Sequence, residues 1–293
     1  MSVTVLISYV GGTQRLMKAC LSSILKYRAG VHYKLHVVTE ERWLSEAEEI
    51  RSDVVSSVIP CQVDGNAPGS YRHSAMLDKY MESAEGMVLT LDSDRFPVAD
   101  GWLGELYSMQ GEGRILPGIR WPWKPPCGSV SGLEERVRTN LNWNNTWVAC
   151  QLVDPNWVRV NGLKYRNGDD TGFELTAKAR EQWLSMPGWK PSRCALPEGD
   201  IDPELNRMFC VAYGDKVVHI GGGSGKAVGR EIFGEGCYGK AVERILEEGA
   251  EWMLDDSQSH RYVFDREDEV VEYKMGLMYN EMKAYLETHD SLF

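Results

Sequence analysis

A chain of 293 residues with 43% hydrophobic and 26% charged residues can bury a large core by itself, which excludes a fibrous repeat and wholesale disorder. Its formal charge of −11, from 32 Lys plus Arg against 43 Asp plus Glu, excludes binding of bare nucleic acid by phosphate neutralisation and leaves nucleic acid only as an acceptor docked on a local patch. The seven cysteines are scattered without a CxxC pair, the apolar run Val3 to Val10 is short for a secretion signal, and no stretch reaches membrane-spanning length. A reducing, cytoplasmic setting without integral membrane association is therefore expected.

Val3-Thr4-Val5-Leu6-Ile7-Ser8-Tyr9 reads as a buried strand ended by Gly11-Gly12. Thr13 is placed to cap a helix in which Leu16, Met17, Cys20, Leu21, Ile24 and Leu25 recur at helical spacing. Tyr33 to Thr39 predicts a second strand, Leu44 to Ser52 a helix and Val54 to Val63 a third strand. This alternation implies an α/β fold with a mostly parallel sheet and helices on both faces. Ser70 to Ala84 predicts a helix with Met76, Leu77, Tyr80 and Met81 inward, and the short apolar strand Met87 to Leu91 runs directly into Asp92-Ser93-Asp94.

Residues 111–147 are rich in Gly, Pro, Trp and Asn and read as loops. Trp121, Trp123, Trp143 and Trp147 could stack on a sugar or base there, or equally belong to the core. Thr146 to Val153 predicts a strand, and Gly168-Asp169-Asp170 opens a helix from about Thr171 to Trp183. Val217 to Ile220 is a last short strand before the glycine run Gly221 to Gly225. Helical patterns at Tyr238 to Leu254 and Glu267 to Leu286 flank a strand-like Tyr262 to Phe264. Without a repeat or low-complexity linker, one domain with a helical C-terminal extension is expected.

Asp92 and Asp94, at the carboxyl end of an apolar strand, lie where ligands bind in open α/β sheets. Two carboxylates around Ser93 can approach a hard cation whose other positions go to phosphate oxygens and water; the plainer reading is a solvated acidic turn. Arg72 and His73 precede this strand and are placed to reach phosphates or sugar, or to serve as surface and packing residues. The run Gly221 to Lys226 is not a P-loop, because Ile220 and Ala227 stand where that motif needs Gly and Ser or Thr. As a glycine loop with Ser224 and Lys226 it suits closure over a diphosphate, or is an exposed turn.

Four segments in order, VLISYVGGTQRLMKACLSSIL, SYRHSAMLDKYMESAEGMVLTLDSDRFPVADGWLGEL, GDDTGFELTAKARE and VVHIGGG, resemble family 2 and related metal-dependent GT-A glycosyltransferases over about residues 1–235. The resemblance implies a GT-A, Rossmann-like fold: a nucleotide-sugar-binding half over about 1–110, an acceptor-side half over 111–235, and a mainly helical extension over 236–293. It implies Mn²⁺ or Mg²⁺ on Asp92 and Asp94 with His219 as third ligand, where the residue alone reads as a satisfied core histidine. It places nucleobase and ribose recognition at Ser8, Tyr9 and Glu40, with Ser93 also at the donor. Asp170, with Asp169 in reserve, becomes the base that deprotonates the acceptor hydroxyl, although an acidic pair also caps a helix well.

Asp replaces the Glu that is common in the first position of that pair, and no QxxRW-type motif of processive synthases is present, so transfer of a single sugar fits best. The implied donor is a nucleotide diphosphate sugar, UDP-sugar by default, and the acceptor, a glycan or a hydroxylated nucleobase in DNA, is open. A sugar-nucleotide nucleotidyltransferase and a non-catalytic glycosyltransferase-like scaffold are the alternatives.

Overall fold

In the computed structural model, β1 (Val3–Tyr9) is buried along its whole length because its side chains divide between two packed layers. Val5 and Ile7 join one core cluster and Leu6 the other. The structure describes residues 2–51, 53–67, 69–120, 146–165, 171–195, 210–220 and 237–261. The expected strand at 262–264 and helix at 267–286 lie outside them.

β1 pairs in parallel with β2 (Tyr33–Glu40) and β4 (Met87–Asp92), and β2 pairs in parallel with β3 (Val55–Cys61). With β6 (Gly118–Arg120), β7 (Thr146–Val153) and β8 (Gly188–Trp189) they form a seven-stranded sheet of order β3-β2-β1-β4-β7-β6-β8. The pairs β4–β7 and β6–β7 run antiparallel, so the sheet is mostly parallel, as the alternating pattern predicts. On one face pack α1 (Gln14–Lys26), α2 (Leu44–Ile50) and α4 (Trp102–Met109); on the other pack α3 (Gly69–Met81), α5 (Pro155–Val160) and α6 (Phe173–Glu181).

A second sheet was not anticipated. β5 (Arg95–Pro97), β9 (Pro191–Ala195), β10 (Cys210–Tyr213), β11 (Val217–Ile220) and β12 (Ser259–Arg261) form an antiparallel sheet of order β12-β9-β10-β11-β5. Its apolar side merges with the α1 face of the main sheet through Phe96, Val211, Val217 and Val218. The helix α7 (Cys237–Glu248) follows, and Ile245 and Met253 enter the same core while Arg15 pairs with Glu243 across α1 and α7.

Two local expectations change. Thr13 does not cap α1 with its side chain; its hydroxyl donates to the Val10 carbonyl at 2.5 Å, closing the turn before the helix. Leu25 is 49% exposed although its neighbour Ile24 is buried, because the apolar stripe of α1 ends at Ile24. Both faces of β4 are covered, so truncating Leu89, which is fully buried, leaves a cavity. Leu89→Ala is expected to lower unfolding free energy by about 2–5 kcal/mol, read as a fall in the urea midpoint; no shift would show that this strand is not part of the cooperative core.

Candidate active site

The carboxyl ends of β1, β2 and β4 lie side by side, with Ser8 in register with Asp92 and Tyr9 with Thr39. His73, from α3, sets Nε2 at 3.0 Å from Ser8 Oγ and 3.3 Å from Asp92 Oδ1. Period-two alternation turns Tyr9 the other way, into the core beside Met17 and Ala47. Ser8 thus joins the strand-end group, whereas the Tyr9 side chain does not.

From Asp92 the chain crosses through Ser93 and Asp94 into β5, leaving the first sheet for the second. Asp94 and Arg95 are buried, and one guanidinium nitrogen of Arg95, Nη1, donates to Asp92 Oδ2 at 3.1 Å and to Asp94 Oδ1. The guanidinium lies over the ring of Trp147 at 4.5 Å from its centroid, a cation–π contact that covers the charge from water. Trp147 also meets His219 edge to face, with centroids 4.8 Å apart.

The pairing of β5 with β11 puts His219 opposite Arg95, and the Ile220 N–H donates to the Asp94 carbonyl at 3.0 Å. His219 is 1% exposed, its Nε2 lies 4.0 Å from Asp94 Oδ1, and neither ring nitrogen makes a hydrogen bond. Burial, and then the Arg95 charge, push its pKa well below the usual histidine value, so the ring is a neutral imidazole.

Glu40 closes β2 as a second charged group. Arg72 Nη1 donates to Glu40 Oε1 at 2.8 Å and Arg42 Nη2 to Oε2 at 2.7 Å. Glu40 and Arg72 are largely buried, and Arg42 lies over the Trp43 ring. The Trp43 ring in turn sits where a Cβ on Gly11 would be, so a glycine is needed at that turn.

Asp169, Asp170, Ser224, Lys226, Trp121, Trp123 and Trp143 lie outside the described residues. The chain on either side of 166–170 is nevertheless tied down. Tyr165 N–H donates to Asp78 Oδ1 at 2.6 Å, Ser74 Oγ donates to Thr171 Oγ1 at 2.9 Å, and Gly172 N–H donates to the Tyr165 carbonyl at 2.9 Å. Ser74 and Asp78 are one turn apart on α3, beside His73, and Asp170 is one peptide from Thr171.

Among the described residues no three His, Cys, Asp or Glu side chains converge as a metal ion requires. The donor chemistry is present in two carboxylates and a buried neutral imidazole with unpartnered nitrogens, and Arg95 stands on the carboxylate oxygens. Arg95 and Arg42 are the site members that the sequence did not disclose, and Trp147, read there as a stacking or core residue, packs against Arg95 and His219.

No family model and no curated protein matches this chain. Solved structures with a likeness to it include glycosyltransferases. One is the mannosyltransferase PcManGT from Pyrobaculum calidifontis in complex with GDP-Man and Mn²⁺, at TM-score 0.45 and 11% identity over 64% of this chain and 54% of that one. A second is a 4-diphosphocytidyl-2C-methyl-D-erythritol synthase from Anaerococcus prevotii, at TM-score 0.43 and 10% identity over 64% of this chain and 88% of that one. A third is TarS 1–349 of S. aureus in complex with UDP-GlcNAc, at TM-score 0.40 and 16% identity over 60% and 53%. The chain thus spans about half the length of the first and the third. At these TM-scores the likenesses assign neither substrate nor reaction, which the site residues must carry.

Glu40→Gln would leave two guanidinium groups facing a neutral amide. It is expected to cost about 3 kcal/mol of stability, measured by urea unfolding; an unchanged midpoint would show that the Arg72–Glu40–Arg42 group is solvated and does not fix the end of β2.

Proposed function

We propose that this chain is a glycosyltransferase that binds a nucleotide diphosphate sugar at the carboxyl ends of β1, β2 and β4 and transfers the sugar, with inversion, to an acceptor hydroxyl. The observation that carries the reading is the group Ser8, His73, Asp92, Asp94, Arg95 and His219, gathered at a parallel strand end. Ligands of open α/β sheets bind at such an end. UDP is the default nucleotide.

Asp92, Asp94 and His219 would hold a divalent cation, Mn²⁺ or Mg²⁺, which would supply positive charge to the departing diphosphate. Arg72, paired with Glu40, and His73, in contact with Ser8 and Asp92, are proposed to bind phosphate or sugar oxygens. Ser224 and Lys226, which follow β11 in the sequence, are the remaining residues proposed to bind the diphosphate. Asp170 takes the proton of the acceptor hydroxyl as its oxygen attacks the anomeric carbon, and the bond from that carbon to the diphosphate breaks. The support for Asp170 is the attachment of Thr171 to Ser74, the residue next to His73.

The turn after β1 argues against a nucleotidyltransferase. Such an enzyme needs backbone N–H groups there for a triphosphate, and here Gly12 N–H already donates to the Glu46 carboxylate at 2.8 Å. A carboxylate in that position repels phosphate.

Incubation with a panel of nucleotide sugars and Mn²⁺ is expected to release free nucleoside diphosphate from one donor, with release lost in Asp92→Asn/Asp94→Asn. No release and no calorimetric binding of any donor would refute the reading. Asp170→Asn is expected to leave donor binding intact and to lower kcat for transfer by about 10²–10⁴-fold; unchanged transfer would move the base elsewhere.

A further inference from the structure

We propose that Arg95 is a resident counter-cation of the Asp92–Asp94 pair, one that a divalent ion must displace from the carboxylate oxygens. The free protein therefore binds the ion weakly, and binds it well only together with a nucleoside diphosphate. The place of the ion rests on the donor-site reading above, and the effect of Arg95 rests on its own geometry.

A single nitrogen, Nη1, serves both carboxylates, and the Asp94 oxygen it holds is the one that lies 4.0 Å from His219 Nε2. An ion shared by Asp94 and His219 would meet a fixed positive charge on the same oxygen. Arg95 is 2% exposed, so water and salt screen that repulsion poorly.

Arg193 shows how a purely structural buried arginine looks in this molecule. It is 4% exposed, and its guanidinium is spread over Asp215, Asp256 and Ser259, joining the β10–β11 turn to the segment before β12. Arg95 has no such scaffold. Its Nε is buried without a hydrogen bond, and its ionic partners are the two side chains expected to hold a cation. The β5–β11 pairing and the Trp147 ring keep the guanidinium at the site when its grip on a carboxylate is loosened.

A nucleoside diphosphate changes this competition in two ways. Its phosphate oxygens add ligands and negative charge for the ion, and they offer the guanidinium a replacement acceptor. Ion and nucleotide then strengthen each other's binding, and the coupling is reciprocal.

The test is a Mn²⁺ titration of the full chain without nucleotide, following the free-ion electron paramagnetic resonance signal, for wild type, Arg95→Met, Arg95→Gln and Arg95→Lys. Circular dichroism identifies the folded variants. Arg95→Gln keeps N–H donors in a neutral side chain, and so serves where Arg95→Met does not fold. Neutral variants are expected to bind Mn²⁺ about tenfold or more tightly than wild type, with less further gain on adding UDP, while Arg95→Lys stays weak. Folded neutral variants that bind Mn²⁺ no more tightly than wild type, or a lysine variant as tight as the neutral ones, would overturn the proposal. No donor turnover enters this readout, so failure here is distinct from failure of the transferase reading, which the nucleotide-sugar panel judges.

Discussion

The Arg95 guanidinium, buried between Asp92 and Asp94 and covered by Trp147, sits where the chain leaves the parallel sheet for the antiparallel one. Buried charge of this kind is tolerated only when paired, and removing one member would strand the other in a low-dielectric setting. The crossing from β4 to β5 therefore keeps the three charged groups together. β11 docks on that crossing through the Arg95–His219 register and through the bond from Ile220 N–H to the Asp94 carbonyl. The second sheet and the strand-end site thus share one set of charges.

Around this centre the fold adds groups from each side. The parallel pairing of β1 with β4 brings Ser8 level with Asp92, and α3 lays His73 across both. β2 ends in Glu40, whose two oxygens fix Arg72 and Arg42. One turn further along α3 from Ser74, Asp78 holds Tyr165, so the helix that carries His73 also anchors both sides of segment 166–170. A single helix thereby couples the proposed donor side to the chain that carries the proposed base.

Much of the central sheet was legible because its strands are apolar runs buried on both faces, as in Val3–Tyr9 and Met87–Asp92. The inward set of α3, Met76, Leu77, Tyr80 and Met81, followed directly from helical spacing. Of the second sheet only β11 was legible, as the strand Val217 to Ile220, and the rest was not, for a physical reason. Its strands are three to five residues long, several carry Pro or Arg, and partners such as Arg95 and His219 are distant in sequence. The sequence pattern singles out Asp92 and Asp94 but not Arg95, which the β11 pairing and Trp147 bury. Tyr9, grouped with Ser8 by its place at a strand end, faces the core because successive side chains point to opposite faces.

The Asp92 end of β4 is proposed to receive the diphosphate. This role is tested most directly by crystals grown with Mn²⁺ and UDP, using the anomalous signal of manganese to locate the ion. An anomalous peak is expected in contact with the Asp92–Asp94 pair, with diphosphate density beside Arg72 and His73. A peak elsewhere, with nucleotide bound away from the ends of β1, β2 and β4, would contradict it.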